Sequence, residues 1–195
     1  LKIAFEVPPS FVMINSPRRV IAFGPKKSRL VFDMAAPKEA MKVRLLTRYI
    51  SNQWGRNLID PRAIESIEIN GLRGATVKGQ MSVREGTRDV RLVVVRGSRE
   101  QIFRFAFITE PVETQRLAEG FRRTTYSFRL LSQNEAHAIK PLRVRVREVK
   151  PGDTATSLAS RYPVERFQDE WFRLLNNVKS DEKLRPGRKI KMIMD

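Results

Sequence analysis

Residues 147–194 read REVKPGDTATSLASRYPVERFQDEWFRLLNNVKSDEKLRPGRKIKMIM. A short β-rich run ending at Val149 meets the turn Pro151-Gly152-Asp153-Thr154. Two helix-like segments follow, then a second turn at Leu184-Arg185-Pro186-Gly187, then the apolar/basic alternation Lys189-Ile190-Lys191-Met192. This order predicts a small strand-helix-helix-strand unit. Within it Gly152 supplies the turn and Asp153 stands where it would cap the first helix. Trp171, Phe172, Leu174 and Leu175 are expected in the core.

Upstream, Pro141 marks a link, followed by Arg143, Arg145 and Arg147 alternating with Val144 and Val146. The expected domains are therefore 1–141 and 142–195. The first begins with short apolar runs punctuated by Pro8-Pro9-Ser10, Asn15-Ser16-Pro17 and Gly24-Pro25, which read as a β-meander. Leu1 opens in mid-pattern, so a longer parent chain is expected. Pro37 suits the first turn of a helix in which Met41, Leu45, Tyr49 and Trp54 share a face, and Gly55 stops it. Residues 64–108 are strongly β. Asn70-Gly71 is a hairpin signal, and Phe103, Phe105 and Phe107 point to one side. A helix from Pro111 and a short capped helix from Ser132 complete the pattern. The fold class is α+β: an antiparallel sheet of three or four strands with one packed face, its helices on that one face, followed by the small strand-helix-helix-strand domain.

The charge is high: 38 Lys and Arg against 21 Asp and Glu, a net +17 spread along the whole chain. Such a surface attracts polyanions, whether nucleic acid, anionic lipid or acidic wall polymer. There is no cysteine, hence no disulfide framework and no thiol chemistry. No apolar run approaches the roughly 20 residues of a membrane span.

Catalytic sets are missing. His137 is the one histidine, so a two-histidine zinc site lacks its second imidazole, and no Gly-rich phosphate loop is present. The Phe103/Phe105/Phe107 stripe reads as core rather than as a base-stacking platform. The segment Arg122-Arg123-Thr124-Thr125-Tyr126-Ser127-Phe128-Arg129 leaves two readings open. Arg122, Arg123, Tyr126 and Arg129 form either an anion or partner grip or a solvated helix end.

Resemblances sharpen these expectations. Val149, Gly152-Asp153-Thr154, Ser157-Leu158-Ala159, Leu175-Asn176, and Leu184 with Pro186-Gly187 and Ile190 are similar to a LysM module, which binds N-acetylglucosamine (GlcNAc) glycans such as peptidoglycan and chitin. That resemblance implies a groove between the loops Pro151–Ala155 and Asn177–Gly187, with Gly152, Asp153, Thr154, Asn177, Arg185, Pro186 and Gly187 as glycan-binding residues. Each of these also has a purely structural use in turns and caps. The element order of the first region resembles the Mog1/PsbP-like folds, which implies no function.

Motifs from Asn15-Ser16-Pro17 through Asn70-Gly71-Leu72, Asp89-Val90-Arg91-Leu92 and Phe103-Arg104-Phe105 to Arg122–Phe128, Pro141–Val146 and Pro151–Thr154 occur in the same order in another family. They resemble the C-terminal, non-catalytic region of bacterial HtpX/BepA-type zinc metallopeptidases (family 48), which carry tetratricopeptide-like helices. The family's His-Glu-x-x-His has no counterpart here. The resemblance thus implies no metal or catalytic residue in this chain and zinc in a separate peptidase domain. That peptidase domain, peptidoglycan and envelope proteins are the implied partners. The implied location is the periplasm or cell envelope of a bacterium. A basic nucleic-acid-binding protein is the alternative.

Overall fold

The structure, a computed structural model, describes residues 2–164 and 167–194. It divides into two compact units, Leu1–Ser132 and Gln133–Asp195, so the Pro141 link lies within the second.

The first unit is built on a seven-stranded sheet in the order β2-β3-β4-β8-β7-β6-β5, antiparallel throughout. Its strands are β2 (Val12–Asn15), β3 (Val20–Phe23), β4 (Arg29–Met34), β5 (Glu65–Ile69), β6 (Leu72–Val83), β7 (Gly86–Ser98) and β8 (Gln101–Thr109). A separate ribbon pairs β1 (Ile3–Ala4) with β9 (Arg129–Leu130). The β5–β6 hairpin turns at Asn70-Gly71, where φ is +49° and +78°. Two consecutive positive values are what a type I′ turn needs, and Asn-Gly supplies them with least strain.

The α+β class and the antiparallel sheet agree with expectation, but the sheet is larger and its helices divide between its two faces. On one face α3 (Pro111–Ser127) buries Leu117 and Phe121 against Phe103, Phe105, Phe107, Val93 and Val95. On the other, Ala40 of α1 (Pro37–Lys42), Tyr49 of α2 (Leu46–Tyr49) and Ile50 pack on Ala75, Val77, Val90, Leu92 and Val94. The physical reason is legible in β7. Leu92-Val93-Val94-Val95 is apolar without alternation, and all four are buried, the mark of a strand covered on both sides.

The single helix expected over Pro37–Trp54 is interrupted. Arg96 donates to the carbonyl oxygens of Ala40 (3.0 Å) and Val43 (2.7 Å), closing α1 at its C-terminus. The chain re-enters helix at Leu46 and finishes in a π-helical turn, Ile50–Trp54. Met41 and Leu45 are exposed as a result. Trp54 lies over the Arg104 guanidinium, 5.4 Å from its ring centroid. Arg104 also donates to both carboxylate oxygens of Asp33 (2.6 and 2.7 Å) and to the Tyr49 hydroxyl, tying β4, β8 and α2 together.

The second unit contains α4 (Gln133–Ala138), then β10 (Arg143–Glu148), α5 (Ala155–Ala159), α6 (Gln168–Asn176) and β11 (Lys189–Met194). β10 and β11 pair antiparallel from Arg143↔Met194 to Glu148↔Lys189. The core comprises Val149, Leu158, Tyr162, Phe172, Val178, Ile190 and Met192. Of the four apolar residues expected inside from α6, Phe172 is buried and Leu175 partly so. Trp171 and Leu174 are exposed, at 50% and 76%. Their row, one position from the Phe172 row, faces away from α5 and the ribbon. The described residues contain no helix long and apolar enough to cross a membrane.

Candidate functional site

Two Pro-Gly turns organise the end of the second unit. In Lys150-Pro151-Gly152-Asp153 the Asp153 N–H donates to the Lys150 carbonyl (3.1 Å) with Gly152 at φ +88°. In Arg185-Pro186-Gly187-Arg188 the Arg188 N–H donates to the Arg185 carbonyl (3.1 Å) with Gly187 at φ +84°. Proline at the second position and a positive-φ glycine at the third are the requirements of a type II turn. The turns are stitched together: Gly187 N–H donates to the Val149 carbonyl (2.8 Å) and Val149 N–H to that of Arg188 (2.9 Å).

Asp153 does not cap the helix. Its carboxylate turns back to accept from the Lys150 N–H at 2.8 Å. The cap is Thr154, whose hydroxyl accepts from Ser157 N–H (3.1 Å) while Ser157 Oγ accepts from Thr154 N–H (3.0 Å). Thr154 holds the extended backbone that an N-cap requires.

The opposing loop is held by ion pairs and backbone bonds. Arg173 of α6 pairs with Asp169 and donates to the Lys179 carbonyl (2.7 Å). Glu182 accepts from Lys179 N–H (3.1 Å) and pairs with Arg188, and these two contacts hold its carboxyl below the usual range. Asn176 clamps the ribbon edge, donating to the Lys191 carbonyl (2.9 Å) and accepting from the Lys191 N–H (2.6 Å). Tyr162 donates to the same carbonyl at 2.7 Å.

Between the loops runs a groove of about 400 Å³, walled by Gly152–Thr156 on one side and Ser180–Leu184 with Arg173 on the other. Ala155 and Leu184 give it an apolar floor. Among the described residues the N–H groups of Gly152, Lys183 and Leu184 donate no hydrogen bond. They offer donors to an amide or hydroxyl oxygen, since a backbone N–H without a protein partner looks for one in solvent or ligand. The charged groups are mixed: Asp153, Asp181 and Glu182 against Arg173 and Lys183.

Of the seven glycan-binding residues expected from sequence, Gly152, Asp153 and Thr154 line this groove. Arg185 and Pro186 line an adjoining hollow with Glu182, Lys183, Leu184 and Arg188. Asn177 ends α6 in the left-handed conformation, and Gly187 serves its turn. Sequence reasoning missed Thr156 and Arg173. Their helical positions identify neither as a wall residue until the two loops are brought together.

Arg122, Arg123, Tyr126 and Arg129, for which the sequence leaves both an anion or partner grip and a solvated helix end open, do not converge. Arg122 and Arg123 both pair with Glu119, at 2.8 and 3.0 Å. The two guanidiniums hold the Glu119 carboxyl down at about 2. Tyr126 is half-exposed, and Arg129 belongs to the β1–β9 ribbon. His137 lies exposed on α4. Among the described residues no three His, Asp or Glu side chains gather as a metal-binding group.

Solved structures of similar fold include LpqN of Mycobacterium tuberculosis, which is involved in cell envelope biogenesis (14% identity, 67% of this chain and 83% of that one, TM-score 0.46). Others are the PsbP of Synechocystis sp. PCC 6803 (14%, 66% and 86%, 0.43) and the Ran-binding Mog1p of Saccharomyces cerevisiae (9%, 68% and 92%, 0.44). No curated protein matches the sequence. Residues 148–192, which hold both Pro-Gly turns and the groove between them, match the LysM domain family.

Proposed function

We propose that this chain is a non-catalytic binding protein of the bacterial cell envelope, and that its 148–192 unit takes the GlcNAc glycan of peptidoglycan. The observation that carries this is the groove. It lies between the two loops of a LysM-matching unit, with an apolar floor and open backbone donors. Its mixed charge favours a neutral ligand. Three carboxylates on the walls would repel a phosphate backbone, which weighs against the nucleic-acid reading despite the net +17.

The fuller form of this reading makes the chain the C-terminal region of an exported HtpX/BepA-type zinc peptidase, holding that enzyme on the wall or on its substrate. Its support is the ordered series of motifs from Asn15 to Thr154. Zinc would belong to the peptidase domain, and the natural partners would be that domain and envelope proteins.

Co-sedimentation with insoluble peptidoglycan tests the core reading. The chain should pellet with the wall and stay bound when salt is raised well above physiological strength. Thr156→Trp, which fills the groove, should weaken binding about tenfold, or about 1.4 kcal/mol. Retention that disappears with salt and is indifferent to Thr156→Trp would reduce the interaction to charge.

A further inference from the structure

A hollow of about 650 Å³ lies in the first unit between α3 and strands β6, β7 and β8. Small-molecule sites span roughly 300–1,000 Å³. Its floor is the ring pair Phe107 and Phe121, both buried, with centroids 4.7 Å apart. Its sheet wall carries Lys78, Gln80, Asp89 and Arg91.

Lys78 and Arg91 are direct cross-strand partners in the β6–β7 register. They therefore share a face, where opposed like charges repel. Arg91 is half-buried, and its Nε donates to Thr76 Oγ1 at 3.2 Å. Among the described residues neither Lys78 nor Arg91 has an ion-pair partner. Burial pushes the Arg91 guanidinium below its ordinary value, with Tyr126 and Glu65 acting the other way.

The other shielded arginines of this unit are provided for. Arg104 has Asp33, Arg88 has Glu85 and Glu110, and Arg96 has the carbonyls closing α1. Arg91 is instead placed opposite a second cation beside an aromatic floor. Arg122 also stands on the rim, where it is paired with Glu119 and adds no free charge. Asp89 lies two residues along β7 from Arg91, roughly 7 Å away on the same face. It is held by Gln80 Nε2 (2.8 Å) and Thr114 Oγ1 (2.6 Å). Such a pair of cations costs stability in the free protein, and the cost is recovered when an anion lies between them.

We propose that this hollow binds a small organic oxyanion, a phosphate or carboxylate carried on an apolar body. Arg91 and Lys78 grip the oxyanion, and Phe107 and Phe121 carry the body. The planar Arg91 fork suits either oxyanion.

Calorimetric titration of the full chain with phenyl phosphate, benzoate and benzylamine tests it, with amide chemical shifts locating the site. Saturable binding of at least one anion and none of benzylamine is expected, and comparing the two anions identifies the oxyanion. Shifts should centre on residues 78–80, 89–91 and 115–122. Arg91→Gln should weaken binding roughly tenfold or more while leaving the melting temperature of the free protein unchanged or raised. Arg62→Gln, an exposed arginine paired with Asp60, should bind as the parent does. Absence of binding by both anions at millimolar concentration would overturn the proposal. So would shifts confined to the Arg143–Arg147 strand, or equal losses in Arg91→Gln and Arg62→Gln. A fall in melting temperature on Arg91→Gln would make the residue structural and overturn it equally.

Discussion

Gly79 shows how one residue can be essential for reasons that leave no periodic trace. A Cβ at that position would stand 2.0 Å from the Leu58 carbonyl oxygen, where the segment before β5 bridges to β6 through Ile59↔Gly79. The obstacle is backbone and cannot rotate away. Gly79→Ala should cost about 3 kcal/mol, at the upper end for overpacking, read as a lowered urea midpoint at unchanged slope. Asp33→Asn should cost about 2 kcal/mol, because it leaves the half-buried Arg104 guanidinium without its countercharge. A urea midpoint within error of the parent would remove that pair from the account. Asn70-Gly71 was legible in the sequence because its chemistry is local. Gly79 and the Arg104 pair were not, because each depends on a partner more than a dozen positions away.

At the scale of the element, the groove depends on α5 starting where it does. Thr154→Ala removes one half of a reciprocal cap and should cost about 1 kcal/mol, measured by thermal melting. The two apolar rows of α6 should separate cleanly. Phe172→Ala should cost about 3–5 kcal/mol, as for a buried aromatic, whereas Trp171→Gln should stay within about 0.5 kcal/mol of the parent. The sequence shows that α6 has a broad apolar side, but periodicity alone does not say which edge of it meets α5 and the ribbon. β7 taught the converse. Its unbroken Leu92–Val95 run was a signal for helices on both faces, masked by the clean alternation of Phe103, Phe105 and Phe107 in β8. The strand-helix-helix-strand order and the two loops walling the groove are readable in the sequence, since Pro-Gly turns are fixed by neighbours; the cap is one residue further on than expected, at Thr154 rather than Asp153. The wall residues Thr156 and Arg173 were not, because they become neighbours only when α6 returns beside the first turn.

Across the whole molecule, the two units carry separate cores and a buried tyrosine each. Burial raises the pKa of both Tyr49 and Tyr162 above the ordinary phenol value. A raised folded-state pKa means stability is complete below the unfolded value of about 10 and is lost as pH climbs through the folded one. The tyrosine contribution to each unit should therefore hold up to about pH 10 and diminish beyond it, read as a melting temperature that falls as pH rises above about 10 and phenolate absorbance that appears late. The net charge of +17 adds a diffuse attraction for polyanions that is weakened by salt. On the proposed reading the groove, with acids and bases on its walls, acts through shape and backbone hydrogen bonds instead. Titrating the labelled chain with a chitin pentasaccharide at physiological salt, and following its amide shifts, separates the two most directly. Saturable shifts at residues 152–156 and 180–184 are predicted. No shifts, or shifts confined to the exposed Phe167–Leu174 face of α6, would contradict glycan binding in the groove.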